Sequence, residues 1–278
     1  FKLKVQAMTK RKGLMDVSEL NAYQVAYGKP LDYRDYLNYV GLPCLFMGGF
    51  SFALCYYWWI ALICGVIGGV YGFKVIMPKS IKRSYELKSL QERNKFINNM
   101  TQILTDDSKT VTRALSIAKQ RTKGELREDI QILESRLQGA DKFQIAEAFR
   151  EINNKYYSDV VFTQYFEQLE TAIYEGRNNS DTMKQIKSYH NDVKRKTEGF
   201  MKIKDGYLQD MKQMMFIVAV FIGAITFAFG FSTFYEGFAR SPIGWVFGSI
   251  YFLIMVSFMK SFFKHYFDDE IMSLGVSN

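Results

Sequence analysis

Apolar and charged residues are distributed unevenly along this chain, and the uncharged stretches are long. Residues 41–73, 213–235 and 241–259 contain no Asp, Glu, Lys or Arg and are mostly apolar. An uncharged apolar run of about 18 or more residues is long enough to cross the hydrocarbon core of a bilayer as a helix. The pattern therefore predicts an all-α integral membrane protein.

The first uncharged stretch is long enough for two helices. At a rise of about 1.5 Å per residue, residues 41–77 provide nearly two thin crossings, which predicts a membrane hairpin. An aromatic cluster at 56–59, of the kind found at the membrane–water interface, predicts its turn. The first arm, 42–55, is short for a full span and contains Pro43, so a re-entrant hairpin is the alternative to two full crossings.

The second arm of this hairpin carries glycines four residues apart: Gly65 with Gly69, and Gly68 with Gly72. That spacing lets two membrane helices approach closely, because no side chain separates their backbones. We expect these glycines to pack against another helix. Glycine scattered through an apolar helix without a packing role is the competing interpretation.

A second membrane hairpin is predicted at 213–260. Met214 to Tyr235 is long enough for one crossing and Trp245 to Met259 for most of another, with a short loop between them. Lysines flank this pair on both sides, and the basic excess of the chain falls in 1–40 and in the segment between the hairpins, which is the positive-inside arrangement. We expect four crossings with both termini in the cytoplasm, 1–40 being a basic or interfacial segment and 261–278 a tail.

The residues between the hairpins, 78–212, predict one cytoplasmic bundle of about six helices. Their apolar positions recur at helical spacing, and strand alternation is absent from the pattern. Asp106 to Ser108, Gly124, Gly139 to Asp141, and Gly176 mark the expected helix boundaries, and the last helix is expected to continue into the third crossing. The predicted core positions are Phe96, Ile97, Met100, Ile103, Leu104, Val111, Leu115, Ala118, Leu126, Ile130, Leu133, Leu137, Ile145, Phe149, Ile152, Val161, Tyr165, Phe166, Leu169 and Ile173.

The composition argues against several chemistries. The chain has a formal net charge of +8, 2 His and 3 Cys, too few ligands for a His/Cys metal site, and His190 and His265 are best interpreted as structural. The three uncharged stretches contain no Asp, Glu, Lys, Arg or His for proton or ion transport, and no GxxxxGK[ST] nucleotide loop occurs. We therefore expect no enzyme activity, no cofactor and no direct nucleic-acid binding.

Three segments of the bundle resemble a known family. They read FINNMTQILTDDSKTVTRALSIA, GELREDIQILESRLQGADKFQIAEAF and YFEQLETAIYEGRNNSDTMKQIKSY. Together with the order of hairpin, bundle and hairpin, they resemble the type II secretion F-domain family, and within it the single-bundle inner-membrane platform proteins of tight-adherence (Tad) pili. The resemblance covers residues 84 to about 260. Asp106 and Asp107 stand where that family often has Ala-Gly.

The resemblance implies a non-enzymatic platform in the cytoplasmic membrane of a bacterium. Such a platform couples a cytoplasmic secretion ATPase to the assembly or export of pilin-like subunits, and its other partners would be membrane lipid and either a second platform protein or further copies of itself. A structural membrane subunit of a Gram-positive conjugative transfer apparatus is the alternative. A membrane sensor or transporter subunit is a more distant one.

Two groups of residues are candidates for docking a partner. The basic group on the long last helix of the bundle consists of Lys184, Lys187, Lys194, Arg195 and Lys196. It fits an acidic partner or an anionic leaflet, but also an ordinary solvated helix surface. The second group lies at predicted helix ends and consists of Asp106, Asp107, Glu175 and Gly176, for which simple helix termination is the competing interpretation.

Overall fold

The computed structural model describes residues 17–106, 108–177 and 179–269. These residues form helices and no strand, which confirms the all-helical class. In chain order the helices are α1 (Val17–Tyr27), α2 (Tyr33–Cys55), α3 (Trp58–Leu104), α4 (Val111–Arg121), α5 (Gly124–Leu137), α6 (Lys142–Lys155), α7 (Val160–Glu175), α8 (Ser180–Phe229), α9 (Phe231–Phe234) and α10 (Pro242–Tyr266).

Four of these helices, α2, α3, α8 and α10, are long and apolar enough to cross a membrane. Little of their most apolar windows is buried inside the chain, and none of the window in α8 is. Large apolar side chains such as Phe216, 70% exposed, and Phe227, 90% exposed, therefore point away from the protein. A surface of this kind needs lipid or another apolar partner, which supports a membrane protein.

The chain divides into two compact units. The described residues of the first, here called the hairpin unit, are 17–22, Pro30–Lys82 and Lys202–Asp269. Those of the second, here called the bundle unit, are Tyr23–Lys29 and Arg83–Met201. The bundle unit thus includes the end of α1, which belongs to the segment 1–40 in the division made from the sequence.

In the hairpin unit the first arm begins at Tyr33 rather than at residue 42. The side chain of Asp32 accepts a hydrogen bond from the backbone N–H of Asp35, and the carboxylate of Asp35 accepts one from the backbone N–H of Asp32. This capping box starts the helix early. The helix then continues through a π turn at Leu37–Gly41 to Cys55, a total of 23 residues. At about 1.5 Å per residue it is about 34 Å long, so its length no longer favours a re-entrant hairpin.

The turn between α2 and α3 lies at Tyr56 and Tyr57. Tyr56 has a φ of 54°, the left-handed conformation that ends a helix, and its N–H donates to the carbonyl of Phe52 at 2.8 Å. The turn is thus inside the aromatic cluster, as the sequence predicts. Trp58 and Trp59, however, belong to the first turn of α3.

The second apolar pair is divided earlier than the sequence predicts. Helix α8 ends at Phe229 and not near Tyr235, because Gly230 takes a φ of 77°. The short helix α9 and a π turn at Tyr235–Ala239 follow. Helix α10 starts at Pro242, where the hydroxyl of Ser241 accepts a hydrogen bond from Gly244 at 3.0 Å.

The bundle unit has one apolar core built from α3 to α8. The apolar stripes predicted from the sequence are buried in it, except that Val161 is buried outside this core and that Ile145 and Ile173 are half-buried and packed against it. The hydroxyl of Tyr165 lies 2.9 Å from that of Thr101, so this buried polar group has a partner. Helix α8 is continuous over 50 residues, which confirms the prediction that the bundle's last helix has no internal break.

One predicted cap is in the wrong place. Helix α4 is capped by Thr110, whose hydroxyl accepts a hydrogen bond from the N–H of Arg113 at 3.3 Å, and not by Asp106 or Ser108. Asp141 does cap α6, since it forms a capping box with Gln144. Local sequence thus determines most helix ends. In the polar turn before α4, several residues are suitable caps, so the sequence alone did not single out Thr110.

Candidate functional site

The paired contacts in the bundle unit show which helix ends lie together. Arg93 bonds to Asp159 and Thr101 to Tyr165, so α3 and α7 run in the same direction. Because Tyr174, near the end of α7, donates to the carbonyl of Lys142 at the start of α6, those two helices run in opposite directions. The end of α3, the start of α6 and the end of α7 therefore share one end of the unit.

We call this the loop end, defined by the described residues of three connections, 105–110, 138–141 and 176–179. Asp106 lies there in a tight local turn, where its carboxylate accepts hydrogen bonds from the hydroxyl and the backbone N–H of Ser108 at 2.6 and 3.2 Å. These two bonds, and then Lys109 at 3.3 Å, lower the pKa of Asp106. Asp107 lies outside the described residues.

Glu175 and Gly176 lie at the same end. Gly176 takes a φ of 66° and ends α7, so the helix-terminus interpretation of this pair is correct as far as the backbone is concerned. The carboxylate of Glu175 is exposed and lies 3.2 Å from the guanidinium of Arg177. Asp106, Glu175 and Gly176 are thus all accessible on one end of the bundle unit.

An exposed aromatic pair at the loop end was not predicted from the sequence. Phe143 is 74% exposed and Tyr174 is 41% exposed, and the hydroxyl of Tyr174 reaches the backbone beside Phe143. Phe143 directly follows the first residue of α6 and falls off its apolar stripe, a signal that was available in the sequence. At the opposite end of the unit, Tyr157 is 76% exposed.

Three of the five candidate basic residues of α8 are paired locally. The ammonium groups of Lys184 and Lys194 lie 3.4 Å from Asp181 and 3.6 Å from Glu198, and the guanidinium of Arg195 lies 2.9 Å from Asp192. Consecutive helix residues are about 100° apart around the axis, so Lys194, Arg195 and Lys196 point in different directions. Lys184, Lys194 and Arg195 are therefore in local ion pairs, and the five residues of the group do not form one continuous basic face.

A buried ionic cluster is the feature that sequence reasoning missed most clearly. One carboxylate oxygen of Asp159 lies 2.7 Å from Nε of Arg93 and 3.2 Å from Nε2 of His190, and the other accepts the N–H of Phe162 at 3.1 Å. Burial alone raises the pKa of Asp159, but His190 and Arg93 outweigh it and lower that pKa to about 2.

Neighbouring amides fix the tautomer of His190. Its Nδ1 lies 3.0 Å from the amide nitrogen of Asn94, a donor, so Nδ1 accepts and Nε2 carries the proton that it donates to Asp159. Asn94 and Asn98 both donate to the amide oxygen of Asn191, at 2.8 and 2.9 Å. The side chain of His190 is fully buried, so this cluster joins α3, α7 and α8 and does not face a substrate in solution.

The four glycines of α3 face the first arm of the hairpin unit. A Cβ built on Gly68 would lie 2.6 Å from the carbonyl oxygen of Pro43, and one on Gly72 would lie 2.2 Å from that of Tyr39. Cβ atoms on Gly65 and Gly69 would lie 3.3 and 3.5 Å from atoms of Cys44. The backbones of α2 and α3 therefore approach closely only because these positions lack side chains.

The residues that the structure describes include no group of three or more His, Cys, Asp or Glu side chains that could hold a metal ion. The ionisable side chains that do converge in the bundle unit neutralise each other in pairs. Asp129 is a second example, because it binds Lys155 and accepts the hydroxyl of Tyr156 at 2.8 Å. The remaining candidate contact surfaces are the loop end and the apolar faces of the long helices.

These features define an all-helical protein with four helices of membrane-spanning length and one closed helical unit between them in the sequence. The chain is 50% identical over 268 residues to the uncharacterized protein pXO2-23 of Bacillus anthracis, an alignment that covers 96% of this chain and 97% of that protein. It belongs to the same family as that protein. No family model matches the chain. No solved structure gives a significant match.

Proposed function

We propose that this chain is a non-enzymatic platform subunit in the cytoplasmic membrane of a bacterium, where it couples a cytoplasmic secretion ATPase to the assembly or export of pilin-like subunits. The observation that carries the proposal is the order of its parts. One closed helical unit lies in the sequence between two pairs of apolar helices of membrane length. That order is the one implied by the resemblance to F-domain platform proteins.

In this proposal both apolar pairs cross the membrane, and the bundle unit and both termini lie in the cytoplasm. The flanking lysines support this orientation, since Arg240 is the only Lys or Arg in the connection 230–241. Single cysteines at Ser232 and at Phe143, in a chain without its native cysteines, test it. An impermeant maleimide added to intact cells should label position 232 and leave 143 unlabelled, and the reverse pattern would refute the topology.

The loop end is the docking surface that we propose for the ATPase. Its two exposed aromatic side chains share this end with Asp106, Asp141 and Glu175, and aromatic residues are enriched in contact surfaces between proteins. The locally paired basic residues of α8 are the weaker candidates, because each ion pair cancels most of the field that a partner would sense. The proposal therefore moves the main contact from α8 to the loop end.

Site-specific photo-cross-linking in the native membrane tests this docking surface. The photoreactive residue replaces Phe143 at the loop end or, as the matched control, Tyr157 at the opposite end, because their exposures are 74% and 76%. We expect position 143 to capture the ATPase and position 157 not to. Equal capture from both positions, or from 157 alone, would place the contact elsewhere, and absence of an ATPase from both would overturn the platform role.

The second candidate is a structural membrane subunit of a conjugative transfer apparatus. The plasmid-encoded relative in Bacillus anthracis favours it, since a plasmid-borne transfer machine would carry such a gene. The same cross-linking experiment separates the two, because the captured protein would then be a DNA-transfer ATPase. Deletion of the gene should abolish plasmid transfer in that case and leave fibre assembly and protein secretion unchanged.

A further inference from the structure

A cleft in the hairpin unit lies between α2 and the last three turns of α8. Its volume is about 560 Å³. The hydroxyl of Thr226, which lines it, already donates to the carbonyl of Ile222 at 2.9 Å, so the walls present mainly apolar surface. The lining residues are Ala53, Tyr56, Ala219, Ile222, Gly223, Thr226, Phe227, Gly230 and Phe231.

The length and openness of the cleft fit one hydrocarbon chain. The lining residues on α8 extend from Ala219 to Phe227, about 12 Å along the helix axis. Gly230 and Phe231 extend this wall beyond the end of the helix, and one leaflet of the hydrocarbon core is about 15 Å deep. A Cβ built on Gly223 or on Gly230 meets no atom within 4 Å. The space beside these two glycines is therefore open to an occupant that this chain does not itself supply.

A cation lies at the Gly230 end of the cleft. The guanidinium of Arg240 is 4.5 Å from the ring centre of Tyr235 and 5.8 Å from that of Tyr57. The ring of Tyr235 in turn stacks on Phe231 at 5.8 Å and meets Tyr56 edge-on at 6.0 Å, and both of these residues line the cleft. Two tyrosine faces thus hold the charge beside the apolar walls.

Within the part of the chain that the structure describes, the guanidinium of Arg240 makes no hydrogen bond and no ion pair, even with Glu236 on the preceding turn. A planar group with five N–H donors, stacked and unpaired, binds phosphate oxygens well because two parallel hydrogen bonds form at once. An apolar cleft with such a cation next to the aromatic residues at one end matches both halves of a phospholipid.

We propose that the hairpin unit binds one anionic phospholipid, with an acyl chain in the cleft and the phosphate on Arg240. A headgroup without an amine, such as that of phosphatidylglycerol, brings no positive charge near the guanidinium and is the preferred ligand. The inference rests on the membrane location in the proposed function but is independent of the machine to which the chain belongs. A lipid held there would fill the space between α2 and α8.

Native mass spectrometry of the purified full chain tests the proposal. Phosphatidylglycerol or phosphatidylcholine is added in mild detergent before the chain is released from the detergent and its retained lipid is measured. Gly223→Leu adds a side chain where a Cβ meets no atom within 4 Å, and Arg240→Gln removes the charge. Gly49→Leu, at another open position, and Glu236→Gln are the matched controls. Preserved far-UV circular dichroism shows that each variant is folded.

We expect the wild-type chain and both controls to retain one phosphatidylglycerol in preference to phosphatidylcholine. Arg240→Gln should weaken phosphatidylglycerol binding about tenfold or more, because the lost hydrogen bonds are charged ones, and remove the preference. Gly223→Leu should reduce retention of both lipids. Equal retention by wild type and both variants would overturn the proposal.

Two further arms identify the occupant. Glycerol 3-phosphate alone should not displace the lipid, and full displacement would show a plain phosphate site instead. A photoreactive residue at Gly223 should capture lipid, whereas capture of a protein segment would show that a partner helix fills the cleft. These measurements use the purified chain or a photoreactive residue at Gly223, so a negative result does not affect the ATPase cross-linking at Phe143. A negative result of the ATPase cross-linking likewise does not affect the lipid proposal.

Discussion

Replacing Asp159 by Asn tests the buried ionic cluster of the bundle unit. The substitution removes the charge that faces Arg93 and His190, while the amide oxygen of Asn still accepts the N–H of Phe162 and keeps the helix cap. Its effect should therefore report the ion pair and not the cap. The carboxylate is only 10% exposed, so solvent screens the pair weakly.

The magnitude follows from the pKa of Asp159. Folding lowers that pKa from 3.8 to about 2, and each unit corresponds to about 1.4 kcal/mol, so the charged form contributes about 2 kcal/mol to folding near neutral pH. Removal of the charge also leaves the guanidinium of Arg93 without its carboxylate, which is costly in a buried site. We expect Asp159→Asn to destabilise the bundle unit by about 2 to 4 kcal/mol.

Hydrogen–deuterium exchange on the full chain in lipid nanodiscs measures this effect. Peptides from α3, α7 and the first half of α8 should exchange about 30-fold faster or more in Asp159→Asn, since 2 kcal/mol corresponds to that factor. Asp141→Asn is the matched control, because Asp141 caps α6 from an exposed position and Asn caps equally well. Its exchange should stay close to that of the wild type.

The pH dependence provides an independent measurement. The pKa of Asp159 is lower in the folded state, so its stabilisation is complete above about pH 4 and is lost as the pH falls to about 2. The thermal stability difference between wild type and Asp159→Asn should shrink across this window. Unchanged exchange in Asp159→Asn, or a stability difference that stays constant down to pH 2, would refute this account of the cluster.

Three further substitutions follow from the backbone contacts. Gly68→Leu should lower the free energy of unfolding of the detergent-solubilised chain by about 1–3 kcal/mol or more, because its Cβ would lie 2.6 Å from a backbone oxygen. Gly49→Leu should change it little, because a Cβ there meets no atom within 4 Å. Gly124→Ala should lower the melting temperature of the chain more than Gly139→Ala does. Both glycines have a positive φ, but only a Cβ at position 124 would clash with a backbone oxygen, at 2.3 Å. Thr110→Val should cost about 1 kcal/mol in a denaturant titration through loss of the cap on α4, and an unchanged midpoint would show that the cap contributes nothing.

The sequence by itself determined the class of the fold. Uncharged stretches of membrane length and apolar stripes at helical spacing are properties of local sequence, and the buried positions agree with them. The breaks at Tyr56 and Gly176 were also readable, because aromatic clusters and glycine act within a few residues. The pattern placed the start of α2 at residue 42 and the end of α8 near Tyr235, whereas α2 starts at Tyr33 and α8 ends just before Gly230. A capping box and a single glycine can outweigh the apolar pattern around them.

The tertiary structure decided which distant residues form a site. His190 is a lone histidine in the sequence, and only packing brings it to Asp159 and Arg93, which come from two other helices. Packing also brought Asp106 and Glu175 to one end of the bundle unit, whereas the ion pairs of α8 join residues three or four positions apart on the same helix. Helical periodicity specifies which face of each helix is buried, but partners on different helices are fixed only when those faces pack together.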